Sequence, residues 1–297
     1  MNALARLIRI SAMEAMRHPS RILYHWRQAQ SCSRSGTSLT RLNAFCTSLA
    51  LWFHTVAFPD RTAERSYKIL GQTVTAYGYK GLSILFREIY IEAHYAITLK
   101  APKPVIIDCG ANIGLSVLYF KSLHPEATIY AFEPNPKAFT LLERNVKDNG
   151  LRNVALYNRA LAAADGETTI FVNNDPASLH ASLNARRGGD VPIKVAGYRL
   201  SHLIQEIGHV DLVKIDTEGS EREIIIDLAE RSLLNRVTNF IIEYHHDTES
   251  CNDSLARLLI ALSASGFHFI IDTNLPRYGN HQDIMIRLTR QGSESSG

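Results

Sequence analysis

The chain has 297 residues, of which 45% are hydrophobic and 21% charged, as in an ordinary soluble globular protein. Its net charge of +3 is unevenly distributed, because residues 1–58 contain seven arginines, no lysine and one acid, Glu14. Seven minus one gives +6 for this segment and leaves −3 for the remainder. The arginines lack the interleaved aromatic residues of nucleic-acid readers, so we expect no nucleic-acid partner, although a membrane surface could attract the basic segment.

The cysteines and the apolar runs near the N-terminus indicate where in the cell we expect the protein. The four cysteines are widely separated and lack metal-binding spacing, which favours a reducing cytosol without disulfides. Arg6 and Arg9 interrupt the first apolar run, which is unlike a secretory signal, and residues 42–58 are too polar for a good bilayer span. We expect a cytoplasmic protein, with peripheral contact at the inner face of the membrane as a possible role of the basic segment.

The pattern divides the chain into an extension and a domain. Residues 1–65 predict a basic, helical N-terminal extension, and residues 66–290 predict the main domain. Within that domain, a hairpin over 66–79 and a helix over 82–98 form an entry segment, 66–103, that we expect to cover the site. The polar tail 291–297 predicts disorder.

From Pro104 onward, strands and helices alternate, apart from an extended, loop-rich insertion over 168–196. The predicted strands are 105–108, 128–133, 154–158, 210–216, 239–243, 267–272 and 283–288. The predicted helices between them are 113–123, 136–149, 220–232 and 253–265. Only a short turn joins the last two strands, so they should pair antiparallel. The sequence predicts an α/β, doubly wound, mostly parallel seven-stranded sheet with an antiparallel final strand.

The strongest chemical motif is VIIDCGANIG, residues 105–114, in which an apolar strand enters a glycine turn and then a helix. Ligands of such sheets lie beside this first turn. Gly110 would let the backbone approach a ligand, and Gly114 would let the helix pack on the strand. Asp108 would repel a pyrophosphate but suits a positive amino or sulfonium group, while the helix N-terminus suits a carboxylate. S-adenosylmethionine has these features.

Glu133 ends the next strand, about 20 residues beyond the glycines. An acid at this place accepts hydrogen bonds from the ribose hydroxyls of a nucleoside. Together with the glycine turn, Glu133 predicts a nucleoside ligand.

Two later segments supply the candidate catalytic residues. Asp216 leaves the end of the strand over 210–216, and Ser220 with Glu223 has the spacing of a helix capping box, which makes Glu221 and Glu223 structural. Glu243 and His245 point to one face of the next strand, where His245 could act as a general base toward a hydroxyl. We assign Asp216 and His245 to catalysis without a metal. The alternative is that Asp216, Glu243 and His245 ligate a divalent cation.

At this point the sequence resembles the FkbM family of methyltransferases, over roughly residues 80–290. The matching stretches are REIYIEAHY (87–95), VIIDCGANIGLS (105–116), YAFEPNP (130–136), LVKIDTEGSE (212–221) and IIEYHH (241–246). The resemblance implies a class I methyltransferase fold of Rossmann-like type, S-adenosylmethionine as donor, and transfer to oxygen.

The resemblance also implies the roles of particular residues. The positions that match cofactor-binding positions of the family are Asp108, Gly110, Asn112, Gly114 and Glu133, with Asn158 and Ala160 beside the adenine. Family acceptors include sugars and macrolides, and some members are associated with fucose methylation on rhizobial nodulation signals.

We therefore expect an O-methyltransferase acting on a sugar hydroxyl of a glycan, glycolipid or nodulation-type signal, or on a polyketide or other secondary metabolite. Two other classes stay open. An NAD(P)-dependent oxidoreductase would share the fold, but the glycine spacing and Asp108 count against it. A non-enzymatic membrane or scaffold protein that keeps the fold would use residues 1–58 as its anchor.

Overall fold

The computed structural model describes residues 38–57, 64–174, 180–247, 255–272, 277–278 and 281–290. The chain separates into two compact units, of which the first contains the described residues up to Ala96 together with Lys147–Asn149. The second contains the remaining described residues. The expected structure of residues 1–37 and the expected disorder of 291–297 lie outside the described residues.

The first unit contains helix α1 (Ser38–Ala57), a hairpin of β1 (Glu64–Ile69) and β2 (Gln72–Tyr77), and helix α2 (Tyr79–Phe86). A π-helical turn, Arg87–Ile91, continues α2. The helix predicted over 82–98 therefore begins three residues earlier than predicted and ends at Ile91. It ends sooner because the backbone turns left-handed at Ala93, with φ of 56°. Among the helices that the structure describes, none is long and apolar enough to span a bilayer.

The second unit is built on a large sheet in the order β5-β4-β3-β10-β11-β14-β12. Its strands are β3 (Val105–Cys109), β4 (Thr128–Phe132), β5 (Val154–Tyr157), β10 (Val210–Ile215), β11 (Val237–Asp247), β12 (Phe267–Asp272) and β14 (His281–Arg290). The strands from β5 to β11 pair parallel, whereas β14 pairs antiparallel with both β11 and β12. This arrangement confirms the expected class I methyltransferase fold with its antiparallel final strand.

Helices connect and cover these strands. They are α3 (Leu115–Leu123), α4 (Pro136–Asp148), α5 (Ala185–Gly188), α6 (Leu200–Ile207), α7 (Glu221–Glu230) and α8 (Leu255–Ala264). The central strands are mostly apolar and are buried on both faces, as expected for parallel strands between helix layers. Helix α6 was not predicted. A two-residue strand, β13 (Arg277–Tyr278), pairs with β14 at the outer end of the large sheet.

The insertion has more structure than the sequence indicated. Strands β6 (Ala160–Leu161), β7 (Gly166–Val172), β8 (Ala181–Ser182) and β9 (Val191–Tyr198) form a separate sheet in the order β6-β9-β7-β8. Strands β7 and β9 pair antiparallel along their length, from Gly166↔Gly197 to Val172↔Val191. The prediction of extended backbone is confirmed, but the segment is less loop-rich than predicted, because its two long strands pair with each other and β8 and α5 lie between them in the chain.

Candidate active site

The glycine turn after β3 is tightly enclosed by the protein. Gly110 has φ of 87°, and a Cβ atom there would lie 1.8 Å from the carbonyl oxygen of Asp216. At Gly114, with φ of 86°, a Cβ atom would lie 2.6 Å from Cδ1 of Leu142. Left-handed backbone favours glycine at both positions, and at Gly110 close packing against the Asp216 carbonyl also requires it, in addition to any ligand that the turn binds.

Glu133 lies at the end of β4 beside this turn, and its side chain is buried, at 5% exposed. Its Oε2 accepts a hydrogen bond from the backbone N–H of Asn112 at 2.8 Å, and its Oε1 accepts one from Asn135 at 2.8 Å. Burial raises the pKa of Glu133 to about 7, although these two N–H groups favour the ionised form. The carboxylate is thus fixed in orientation, and each oxygen has a further lone pair to accept a hydroxyl.

Asn158 and Ala160 follow β5 near the same edge of the sheet. The Nδ2 of Asn158 donates to the carbonyl oxygens of Glu133 and Pro134, at 2.8 and 3.2 Å. Ala160 is buried in β6, where it pairs with Gly197. Asn158 therefore connects the turn after β5 to the one after β4, and its predicted place beside an adenine stays a prediction.

Asp108 is fully buried and has partners within the protein. Its Oδ2 accepts a hydrogen bond from Oγ of Ser116 at 2.5 Å, and its Oδ1 lies 3.1 Å from Nζ of Lys214. Our sequence interpretation paired this acid with a positive group of the ligand, whereas the structure pairs it with Lys214. Contact between Asp108 and the cofactor stays a prediction.

Lys214, which the sequence analysis missed, lies opposite Asp108 in the register of β10 and β3. Its side chain is 1% exposed, and Nζ donates to the carbonyl oxygen of Gly110 at 2.6 Å and lies 3.4 Å from Oδ2 of Asp216. Burial disfavours the charged amine, but Asp108 and Asp216 outweigh it, so the pKa of Lys214 is raised. One buried cation thus connects the acid of the glycine motif with the candidate catalytic acid.

Asp216 and His245 meet at the carboxyl ends of the neighbouring strands β10 and β11, with His245 Nε2 3.8 Å from Asp216 Oδ1. Two further acids contact the imidazole. Nε2 lies 3.2 Å from Oε2 of Glu218, and Nδ1 lies 3.0 Å from Oε1 of Glu221. We call Asp216, Glu218, Glu221 and His245 the carboxylate–histidine cluster.

The charges of the cluster shift the pKa values of His245 and Glu218. Burial opposes a charged imidazole, but Glu218 and Glu221 outweigh it, so the pKa of His245 lies well above its usual value. Burial also opposes ionisation of Glu218, but His245, His180 and Arg187 outweigh it and lower the pKa of that carboxyl. The cluster therefore holds opposite charges close together in a largely buried place.

The turn between β10 and α7 is organised by Glu221. Its Oε1 accepts hydrogen bonds from the backbone N–H groups of Thr217 and Gly219, at 3.1 and 2.8 Å, besides contacting His245. The predicted capping box is wrong, because Ser220 makes no side-chain cap and instead donates to Oγ1 of Thr217. Glu221 is thus structural, as predicted, but it also orients the imidazole.

The insertion contributes two basic side chains to the surroundings of the cluster. His180 Nδ1 lies 3.0 Å from Oε1 of Glu218, and a guanidinium nitrogen of Arg187 lies 3.3 Å from Oε2 of the same residue. Arg187 also contacts Asp283 of β14 at 3.1 Å. Sequence reasoning missed Glu218, His180 and Arg187. Of these, only Glu218 had a signal in the sequence, namely its place in the DTEGSE motif, two residues after Asp216.

One group of potential metal ligands is present among the described residues. It comprises one atom each from Asp216, Glu218 and His245, all within 4.8 Å of one another. Glu218 therefore takes the place that the metal alternative gave to Glu243.

Comparison with known proteins agrees with this geometry. The family model described as "Methyltransferase FkbM domain" matches residues 108–279. The chain is 27% identical to the 31-O-demethyl-FK506 methyltransferase FkbM of Streptomyces tacrolimicus, over 68% of this chain and 88% of that protein. It is 27% identical to the 2-O-methyltransferase NoeI of Sinorhizobium fredii, over 65% and 82%.

A further relative is the hexuronic acid methyltransferase AglP of Haloferax volcanii, 28% identical over 48% of this chain and 56% of that protein. The family model spans more than half of the chain, from the acid of the glycine motif through β12. The chain belongs to the FkbM family of methyltransferases.

Proposed function

We propose that this methyltransferase uses S-adenosylmethionine as the methyl donor and a sugar hydroxyl as the acceptor. The observation that carries the proposal is the position of Glu133, a buried carboxylate fixed by two backbone N–H groups beside a glycine turn, next to a strand end that presents Asp216. Such a carboxylate fits the two hydroxyls of a ribose, which are hydrogen-bond donors.

The residues present fit the donor. Glu133 would hold the ribose, the turn containing Gly110, Asn112 and Gly114 would lie along the amino-acid part, and Asn158 with Ala160 would lie beside the adenine. S-adenosylmethionine supplies an electrophilic methyl group on a sulfonium. NADH fits less well, because the turn lacks the G-x-G-x-x-G spacing of dinucleotide-binding turns.

Asp216 is the residue we assign to proton transfer. Its side chain is 23% exposed, whereas His245 is 2% exposed, so Asp216 is the member of the pair that an acceptor can reach. As the oxygen–carbon bond forms and the sulfur–carbon bond breaks, the hydroxyl proton passes to the Asp216 carboxylate. The remaining acceleration comes from holding the hydroxyl in line with the methyl group.

The names of the relatives support the choice of acceptor. Two of them name transfer to oxygen, at a 31-O and a 2-O position, and AglP is named for a hexuronic acid. A polyketide acceptor is the second candidate, since one relative acts on demethyl-FK506. The cytoplasmic location and the membrane contact of residues 1–58 stay predictions.

The donor is tested by titrating the purified protein with S-adenosylmethionine and, separately, with NADH in a calorimeter. We expect micromolar binding of S-adenosylmethionine, weakened at least tenfold by Glu133→Gln and unchanged by Glu143→Gln, an exposed glutamate of α4. NADH binding alone would overturn the proposal. Incubation with glycan and macrolide acceptors, followed by mass spectrometry, then distinguishes the two acceptor classes, and absence of any turnover would favour the scaffold alternative.

Donor binding should strengthen as the pH rises through 7. Glu133 has a pKa of about 7, so its carboxylate is mostly protonated at pH 6 and mostly ionised at pH 8. Hydroxyl donors need the ionised form, which gives a roughly tenfold gain in affinity between these two values. The measurement is the dissociation constant at both pH values for the wild type and for Glu133→Gln. Because the ligand's own ionisation affects both proteins equally, an identical pH dependence in the two would contradict this prediction.

A further inference from the structure

We propose that Asp216, Glu218 and His245 bind one divalent cation that positions the acceptor. This inference rests on the proposed function, because it gives the same strand edge a second task in hydroxyl methylation. The cation would be Mn²⁺ or Mg²⁺, and the acceptor would be a sugar with two neighbouring oxygens that can chelate it.

The distances between the ligand atoms fit a common cation. His245 Nε2 lies 3.2 Å from Oε2 of Glu218 and 3.8 Å from Oδ1 of Asp216. Ligands at about 2.0–2.3 Å from one ion lie roughly 3–4 Å apart when they are adjacent in its coordination shell. The two distances from the imidazole lie in this range, and all three ligand atoms lie within 4.8 Å of one another.

The imidazole is oriented as it is in metal-ligating histidines. Its Nδ1 faces Oε1 of Glu221 at 3.0 Å, and Glu221 is itself held by the backbone of Thr217 and Gly219. A carboxylate acceptor at Nδ1 leaves Nε2 as the nitrogen that would bind a cation, which would replace the proton that the charged imidazole carries there in the metal-free protein. That nitrogen belongs to a side chain only 2% exposed and points at two carboxylates, so three electron-pair donors converge where a cation would bind.

Glu218 is held in place by partners outside the cluster. His180 contacts its Oε1 at 3.0 Å, Arg187 contacts its Oε2 at 3.3 Å, and Ser182 donates to its backbone carbonyl. These contacts come from the insertion, which therefore holds one of the proposed ligands in place.

The donor set indicates the kind of cation. Two carboxylates and one imidazole favour hard cations, among which Mn²⁺ tolerates nitrogen better than Mg²⁺ does. Three protein ligands leave up to three positions of an octahedral ion for water or acceptor oxygens. A hydroxyl with a neighbouring oxygen could fill two of these positions, which fixes the hydroxyl that is methylated.

The test measures cation binding in the absence of donor and acceptor. Full-length protein is treated with a chelator, exchanged into clean buffer and titrated with Mn²⁺, while electron paramagnetic resonance monitors free Mn²⁺. We expect one site of micromolar affinity, weakened at least tenfold by Glu218→Gln, His245→Gln or Asp216→Asn. Glu223→Gln, a matched change on α7 beyond the cluster, should bind like the wild type.

Several outcomes would overturn the proposal. One is that wild-type protein binds S-adenosylmethionine but binds neither Mn²⁺ nor Mg²⁺ at millimolar concentration. The cluster would then be an ion-pair network without a metal. Another is equal weakening in Glu223→Gln and the cluster variants. Circular dichroism confirms the folding of each variant, and Asp216→Asn, at a part-exposed position, keeps the test valid if a buried variant unfolds. If Mn²⁺ binds but S-adenosylmethionine does not, only the proposed donor fails.

Discussion

Substitution of Lys214 by methionine is expected to lower the free energy of unfolding by about 3–5 kcal/mol. Methionine fills a similar volume but carries no charge, so Asp108 would be left fully buried without its cation. Breaking a buried ion pair by removing one partner is costly because the remaining charge stays desolvated. The carbonyl oxygen of Gly110 would also lose its donor.

Urea denaturation followed by circular dichroism measures this loss. Lys194→Met provides the matched control, since Lys194 and Glu167 form an exposed ion pair and the same change there should cost less than about 1 kcal/mol. The double variant Lys214→Met/Asp108→Asn should recover part of the loss, because it removes the uncompensated charge. Equal stabilities of Lys214→Met and Lys194→Met would show that Asp108 and Lys214 do not depend on each other.

The large sheet was predictable because its strands are short apolar runs separated by helices with clear periodicity. The run from Val105 into the glycines predicted β3 and its turn, and the brief link between the last two strands predicted their antiparallel pairing, which the structure has. The neighbouring places of β10 and β11 brought Asp216 and His245 to one edge, as expected.

The insertion was not predictable in the same way. Strands β7 and β9 are separated by about twenty residues, and their register is set by contacts between them rather than by a tight turn. Alternation within Gly166–Val172 and Val191–Tyr198 indicates extended backbone but not its partner. His180 and Arg187 therefore gave no sign in the sequence that they contact Glu218.

Lys214 shows a signal that was present and overlooked. A lysine inside the apolar run Val210–Ile215 must either point to solvent or find a buried acid, and a central parallel strand offers no solvent-facing side. The acid was Asp108, at the matching position of the adjacent strand. We assigned Asp108 to a positive group of the ligand because the sequence analysis considered β3 alone, without the adjacent strand β10.

Gly110→Ala is expected to cost about 2–5 kcal/mol and to reduce methyl transfer at least tenfold. Part of the cost is local, because Gly110 has φ of 87°, which residues with a Cβ rarely adopt. The larger part is the collision of the new Cβ with the carbonyl oxygen of Asp216, at 1.8 Å. That oxygen belongs to backbone whose N–H donates to Cys109 at 3.0 Å, so it cannot move without separating the ends of β3 and β10.

Gly150→Ala separates these two causes. Gly150 is also left-handed, with φ of 59°, but a Cβ there would meet no atom within 4 Å. This control should therefore cost only about 1–2 kcal/mol and leave turnover unchanged. Denaturation and turnover are measured for both variants. A greater loss of stability and turnover in Gly110→Ala than in Gly150→Ala shows that Gly110 is needed for the close approach of β3 and β10, which fixes the distance between the donor turn and the proton acceptor. Equal losses in the two variants would show that Gly110 is needed only for its backbone conformation.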